Sequence, residues 1–427
     1  MDAKNKPLRV AIVGGGIAGL SLAAGILQEI TKGANLELTV YEQAPKFAEI
    51  GAGVSLGPNA LRALNALGLQ KQLDRLNHCP EDTRDLWFEF RFAEASHPKC
   101  GEIVTRLMGR DSGSGHMHRA DLLACLMTLL PVKYCRFNKR VTDYETYSTH
   151  ACLKFADGTS EDTDLIVACD GVKSPLRKVL YRKLAVDAAK QQEKYAEWIA
   201  WRGGSFDFGV MSTKYPQMLI GLDRHILTFP VKGGAMMNLV GFVRDPDRKK
   251  INGQTAPWQE ERPHEEMLQD FDGFSGPVRK LIKAIPKPSI WGIFDLPPLP
   301  ISIGHRIVLT GDAKHATTPH QGAGAGQATE DALFLARLLG HSNINQNQTE
   351  QKIKAMLAIF QNVRHERSKS IQITSAEAGL LYEGRGTQGE GQETEKVKGN
   401  LDGRMEWIWE YDTEGALQAM LRQAANL

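Results

Sequence analysis

The run Arg9-Val10-Ala11-Ile12-Val13, followed at once by Gly14-Gly15-Gly16-Ile17-Ala18-Gly19, constrains the fold more than any other stretch of this chain. The first segment reads as a buried parallel strand, and the glycines at 14, 16 and 19 fit a GxGxxG turn. Leu20 to Ile30 continues as an apolar-rich helix, and Leu36 to Tyr41 predicts a second strand ending at Glu42. Strand, glycine turn, helix, strand and terminal acid in that order form a dinucleotide fingerprint. The turn brings backbone N–H groups of a helix start to a pyrophosphate, and the acid accepts from a ribose hydroxyl. The glycines alone would be a weak signal; their placement makes it specific.

A second glycine-rich stretch lies far downstream. Arg306 to Thr310 is apolar and strand-like, Gly311-Asp312 opens a polar turn with glycines at 322, 324 and 326, and Ala328 to Leu339 reads as a helix. Taken alone, this reads as a tight strand-to-helix connection with a glycine-rich loop. A third feature is Thr163 to Cys169, a strand ending at Asp170-Gly171, which alone is a turn signal. Arg119, in Met117-His118-Arg119-Ala120-Asp121-Leu122, opens a helix and reads equally as a solvated helix-start arginine or a ligand.

Between these features the texture changes. Phe47 to Asn59 is a glycine-containing excursion before a helix, suited to a loop over a large cofactor. Leu86 to Phe92 alternates apolar and charged residues and predicts a half-exposed antiparallel strand. Tyr195 to Pro286 holds short apolar or alternating runs punctuated by Gly, Pro and Asp, the pattern of a mostly antiparallel sheet forming its own layer. Farther on, His341 to Thr349 reads as a surface loop, Lys352 to Leu381 as helix, Glu383 to Gly399 as a polar and mobile segment, and Glu406 to Asp412 as a packing element.

Composition narrows the class. At 427 residues, with 42% hydrophobic and 24% charged residues, the chain has ample core for two or three globular domains. A formal charge of +2 offers no electrostatic case for nucleic acid or an anionic membrane surface. The six cysteines, Cys79, Cys100, Cys125, Cys135, Cys152 and Cys169, form no CxxC pair and read as reduced thiols. No run is long enough to span a bilayer and no secretory signal is evident, so the expected location is cytoplasmic and the expected partner a small molecule. No metal site is expected.

The three motifs in this order resemble the single-component FAD-dependent aromatic hydroxylases, the class related to p-hydroxybenzoate hydroxylase. The version Gly311-Asp312-Ala313 with His315 to Gln327, and the Trp407 to Asp412 tail, are similar to the salicylate hydroxylase group. The resemblance implies an α/β fold: a Rossmann-type FAD-binding domain, interleaved with a mostly antiparallel-sheet substrate domain, plus a helical C-terminal region. The expected partition is 1–82, 106–185 and 291–345 for FAD, 83–105 and 186–290 for substrate, and 346–427 for the helical region.

It also implies FAD as cofactor, NADH or NADPH as transient electron donor, and O2 and a small aromatic molecule as substrates. In the family a C4a-hydroperoxyflavin hydroxylates an electron-rich ring; where that carbon carries a carboxylate, CO2 leaves, turning salicylate into catechol. The cofactor-binding residues carried over are Gly14, Gly16, Gly19, Glu42, Arg119, Asp170, Gly171, Asp312, Gly322 and Gly324. Catalytic candidates are His320, in the flavin-facing motif, and Arg202, His225 and Arg244, in the expected substrate sheet. Against two of them stands a plainer role: a hydrogen-bonding structural histidine for His320, and a surface arginine for Arg202. Other readings left open are hydroxylation of a different phenol or phenolic acid, a simple NAD-dependent dehydrogenase, and a non-catalytic flavin-binding module.

Overall fold

The computed structural model describes residues 6–47, 53–76, 85–109, 115–206, 215–247, 259–345 and 349–427. Residues 48–52 of the excursion after Phe47, parts of the 195–286 region, and Cys79 lie outside this set.

A six-stranded sheet runs in the order Ile303–Gly304, Ile307–Leu309, Leu165–Ala168, Leu8–Val13, Leu36–Tyr41, Cys135–Arg136. All neighbours are parallel except the first pair. Its central strands are continuously apolar because helices cover the sheet; Ile307, Val308 and Leu309 are each fully buried. Burial of each such side chain contributes about 1.5–3 kcal/mol. Leu8–Val13 lies between the strand that follows it and one that arrives from much later, so the chain direction switches at its carboxyl end. Open parallel sheets leave a ligand crevice at that point.

The second sheet has eight strands: Gln259–Glu261, Ser289–Asp295, Lys194–Phe206, Met236–Arg244, Arg224–Val231, Gln217–Gly221, Leu86–Phe92 and Ile103–Met108. It is antiparallel except that Gln217–Gly221 runs parallel to Leu86–Phe92. The expectation of a half-exposed strand at Leu86–Phe92 is corrected here: both faces are covered, and Glu89 is only 1% exposed. Arg91 and Arg106 donate to its two carboxylate oxygens at 2.7 and 2.8 Å, satisfying a charge that alternation alone assigns to solvent. Val397, Leu401, Met405 and Trp409 from the C-terminal helices join the core against this strand. A small sheet of Val141–Thr146, Ala151–Phe155 and Ser160–Thr163 stands apart.

The helix Glu350–Tyr382 spans 33 residues, about 50 Å, and ties the two sheets together. The stretch Glu383 to Gly399 begins with a fully buried Glu383, holds the short helix Gly386–Gly389 and runs into the helix Thr394–Leu401. Glu383 finds its partners on distant strands, in Trp198 and His225. Among the described residues, the cysteines are free thiols, no helix is long and apolar enough to cross a membrane, and no cluster of metal-ligating side chains occurs.

Candidate active site

A cleft of about 580 Å³ opens at the carboxyl ends of Leu8–Val13, Leu36–Tyr41 and Leu165–Ala168, lined by Gly14, Gly16, Glu42, Asp170, Gly171 and Arg140 among others. Gly14 takes φ +106°, and a Cβ there would stand 2.4 Å from the Cys169 carbonyl oxygen. At Gly19 a Cβ would stand 2.0 Å from the Gly14 carbonyl oxygen, so only glycine lets the helix Ile17–Thr31 start this close to the strand. Gly16 differs: no atom lies within 4 Å of where its Cβ would stand. Its bare side faces the crevice.

Glu42 accepts the N–H of Gly15 and of Ala44, each at 2.8 Å, which fixes the carboxylate at the cleft wall with lone pairs to spare. Asp170 accepts the Leu176 N–H at 3.2 Å through Oδ2, whereas its buried Oδ1 has no partner. Burial raises its pKa to about 6, against the opposing pull of Ser174 and Leu176. Arg177, fully buried, donates to the carbonyls of Val172 at 2.5 Å, Gln191 at 2.9 Å and Ala313 at 3.1 Å. It thereby pins the turn after Asp170-Gly171 to the segment carrying Asp312.

A second cavity of about 340 Å³ adjoins the first, sharing Gly16, Cys169 and Gly171. On one side stand Asp312, the Thr317 to Pro319 turn, Gly322 and Gly324; on the other stands one face of the eight-stranded sheet. That face contributes Arg202, Leu227, Phe229, Asn238, Val240 and Phe242, and Arg119 and the Gly53–Ser55 strand close the side. Register explains the grouping. Arg202 pairs with Val240, Leu227 with Val240 and Phe229 with Asn238, so alternate residues of three adjacent strands share one face.

Between the strand Ile307–Leu309 and the helix Gly324–Gly340 come two short helical turns, Asp312–His315 and Pro319–Gln321, where a continuous turn was expected. They are braced from behind. His315 Nε2 meets Asp331 Oδ2 at 2.7 Å, and Arg364 donates to Asp331 at 2.8 Å and to Glu330 at 2.7 Å. Arg367 donates to both Glu330 oxygens at 2.7 and 2.8 Å. Burial opposes ionisation of Glu330, yet Arg364 and Arg367 hold its pKa down to about 2. Thr318, Gln321 and the His320 carbonyl are bound in turn by Ser375, Thr374 and Tyr382 of the long helix. These bracing residues escaped the sequence reading, since only the pairing of Arg364 and Arg367 with the Glu330-Asp331 doublet reveals them.

Of the four catalytic candidates, only Arg202 stands on the cavity wall. Its guanidinium lies over the Trp291 ring, 4.6 Å from the centroid, and its buried Nε has no partner. Burial and the nearby Arg119 lower its pKa to about 10, which leaves it a cation at neutral pH. His320 packs instead among Trp198, Phe242 and Gly379, its ring 5.2 Å from that of Phe242. Burial, and after it the neighbouring His225, hold its pKa well below the ordinary histidine value, against an opposing pull from the Ser375 backbone. His225 is stacked on Phe242 at 4.7 Å, on the same sheet face but behind that ring. Arg244 is not brought to the cavity. It pairs with Glu197 at 2.7 Å at the strand end, beside Trp198, where an exposed carboxylate offers a better partner than a closed apolar wall.

The two connected clefts fit an extended dinucleotide carrying a flavin: bare glycine backbone at 16 and 171, an unpartnered Asp170 oxygen, and a helix start at Gly324. Comparison with known proteins agrees. Residues 7–355 match the FAD binding domain family. A salicylate hydroxylase of Pseudomonas putida is 38% identical, covering 95% of this chain and 93% of its own. The 6-methylsalicylate 1-monooxygenase atA of Aspergillus terreus is 34% identical, over 98% and 92%. A solved salicylate hydroxylase substrate complex superposes with TM-score 0.85 at 35% identity, covering 98% of both chains. A dinucleotide fingerprint, a flavin-sized double cleft and full-length kinship together place this chain among the FAD-dependent monooxygenases of the salicylate hydroxylase family.

Proposed function

We propose that the protein hydroxylates a 2-hydroxybenzoate, salicylate or a ring-substituted salicylate, at the carboxylate-bearing carbon, releasing CO2 and a catechol at the expense of NAD(P)H and O2. The observation that carries this reading is Arg202. It is a half-buried arginine whose buried Nε has no partner, set in a wall that also carries Leu227, Phe229, Asn238, Val240 and Phe242. An apolar slot with a cation suits an aryl carboxylate, whose two oxygens match the guanidinium fork. The named activities of the Pseudomonas and Aspergillus relatives point the same way.

In this reading Gly14, Gly16, Gly19, Glu42, Asp170 and Gly171 hold the adenosine and pyrophosphate half of FAD, and Arg119, Asp312, Gly322 and Gly324 its ribityl and ring half. When bound, FAD supplies the activated oxygen. The protein orients and shields: Arg202 anchors the carboxylate, Phe229 and Phe242 give the ring an apolar wall to lie against, and that wall keeps water from it. His320, kept neutral because burial disfavours its charged form, backs the Phe242 wall from behind and helps hold that ring in place.

The test is a panel of phenols with and without an ortho carboxylate, scored by NADH and NADPH oxidation, oxygen uptake and product identification. Catechol and CO2 in step with NAD(P)H oxidation are expected from salicylates. A ring that retains its carboxylate, or turnover confined to phenols lacking one, refutes the reading.

A further inference from the structure

Asn238 lines the same cavity as Arg202, is 2% exposed, and has a use for only half of its amide. Its Oδ1 accepts the Gly53 N–H at 2.9 Å. That bond fixes the amide orientation, because a backbone N–H needs an acceptor and Nδ2 cannot serve. Nδ2 is therefore a donor group, buried and without a partner. Leaving a buried amide donor without a partner is unfavourable, so its place on a ligand-sized cavity wall asks for an acceptor from the ligand.

The neighbours narrow what that acceptor is. Asn238 lies two residues from Val240 on Met236–Arg244, and Val240 is the direct partner of Arg202 on the adjacent strand. Diagonal positions of this kind lie about 7–8 Å apart, within reach of a long side chain and one small anion. The side chains around them on this face, Leu227, Phe229, Val240 and Phe242, are apolar and offer no competing hydrogen bond. Two donors with unpartnered nitrogens, one charged and one neutral, thus stand on one sheet face and line one cavity, with apolar side chains between them.

We propose that Asn238 is a specificity-determining residue: its Nδ2 amide donates to the second oxygen of the aryl carboxylate that Arg202 holds, so that the site selects ortho-hydroxy aryl carboxylates over uncharged phenols. The proposal rests on the reading of the site given above and adds a residue and a selection rule to it. Gly53 becomes part of the same device. A Cβ there would meet Phe229 at 2.4 Å and the Asn238 side chain at 2.6 Å, so the strand that orients the amide must approach it as glycine.

The decisive variant is Asn238→Asp. It keeps an oxygen for the Gly53 N–H and replaces only the free donor with a second, negatively charged oxygen. With the FAD-loaded full-length protein, ligand binding is read from the perturbation of flavin absorbance by salicylate and by phenol. The expected result is a fall in salicylate affinity of about tenfold or more, a change in phenol affinity below about threefold, and unchanged FAD retention. An unchanged salicylate-to-phenol ratio in a variant that retains FAD overturns the proposal. So does an altered flavin spectrum before ligand is added with that ratio intact, which would assign the amide to the cofactor.

If Asn238→Asp does not fold, Asn238→Ala decides. A purely structural anchor for Gly53 weakens both ligands in parallel, whereas the proposed role weakens salicylate selectively. Failure of the underlying reading looks different. In that case the wild-type protein itself shows no preference for salicylate, and Arg202→Gln changes nothing. A wild-type preference abolished by Arg202→Gln and untouched by Asn238→Asp would sink this inference alone.

Discussion

The Nδ1 of His225 lies 2.9 Å from the Oε1 of Glu383, and both side chains are shut off from solvent. The other Glu383 oxygen accepts the Trp198 indole N–H at 2.7 Å. Burial raises Glu383 to about 8, opposed by that indole hydrogen bond and by Arg244, with Asp223 and Arg385 also facing it. Burial lowers His225 to about 3. Burial thus favours the neutral form of both groups behind the Phe242 wall.

The pair makes stability depend on pH with a definite sign. Between its ordinary value of 4.5 and its folded value of about 8, Glu383 binds a proton in the folded state and not in the unfolded state. Its contribution is complete below 4.5 and is lost as pH rises toward and through 8. His225 acts oppositely between about 3 and 6.5, where only the unfolded state is protonated, so the two slopes offset from 4.5 to 6.5. Wild-type thermal unfolding midpoints should drop from pH 6.5 to 8.5, and Glu383→Gln, which can still satisfy Trp198 and His225, should flatten that drop. Identical declines in the two proteins would remove Glu383 from this role.

Arg202 illustrates a conflict between stability and function. A half-buried cation whose buried Nε lacks a partner is unfavourable in the ligand-free protein, and replacing such a charge by an apolar side chain of similar reach often stabilises. Arg202→Met should raise the ligand-free unfolding free energy by about 1 kcal/mol, measured by urea titration. The same change should raise KM for a carboxylated phenol by about 30-fold or more while FAD stays bound. Unaltered kinetics would take Arg202 out of the site.

Gly16 and Gly19 should separate cofactor binding from folding. A Cβ at Gly16 meets no atom of the protein, so Gly16→Ala should leave apo stability within about 0.5 kcal/mol and weaken FAD about tenfold or more by occupying the pyrophosphate's approach. A Cβ at Gly19 stands 2.0 Å from the Gly14 carbonyl oxygen, so Gly19→Ala should destabilise the apoprotein by about 1–3 kcal/mol. Calorimetry of apo samples and FAD titration distinguish the two. Equal apo stabilities for both variants would refute the packing argument.

Much of the cofactor side was legible because it is local. Gly14 to Gly19, Glu42, Asp170-Gly171 and Gly311-Asp312 each sit at the end of an apolar strand, where the next few residues set the turn and the loop faces the crevice. Strand alternation was a poorer guide. It assigned Glu89 to solvent, whereas Arg91 and Arg106 bury it, and it could not say that Arg244 turns to Glu197 while Arg202 faces the cavity.

By itself the sequence determined the cofactor class, the alternation of parallel and antiparallel layers, and the family, because turn chemistry and apolar periodicity act within a few residues. Only the tertiary structure decided that His225 and His320 stand behind Phe242, that Arg364 and Arg367 brace the Asp312 segment, and that Asn238 shares a wall with Arg202. Those relations depend on strand register and on a helix arriving from far along the chain. A side chain's partner there is set by which backbone lies alongside it, and no local pattern encodes that.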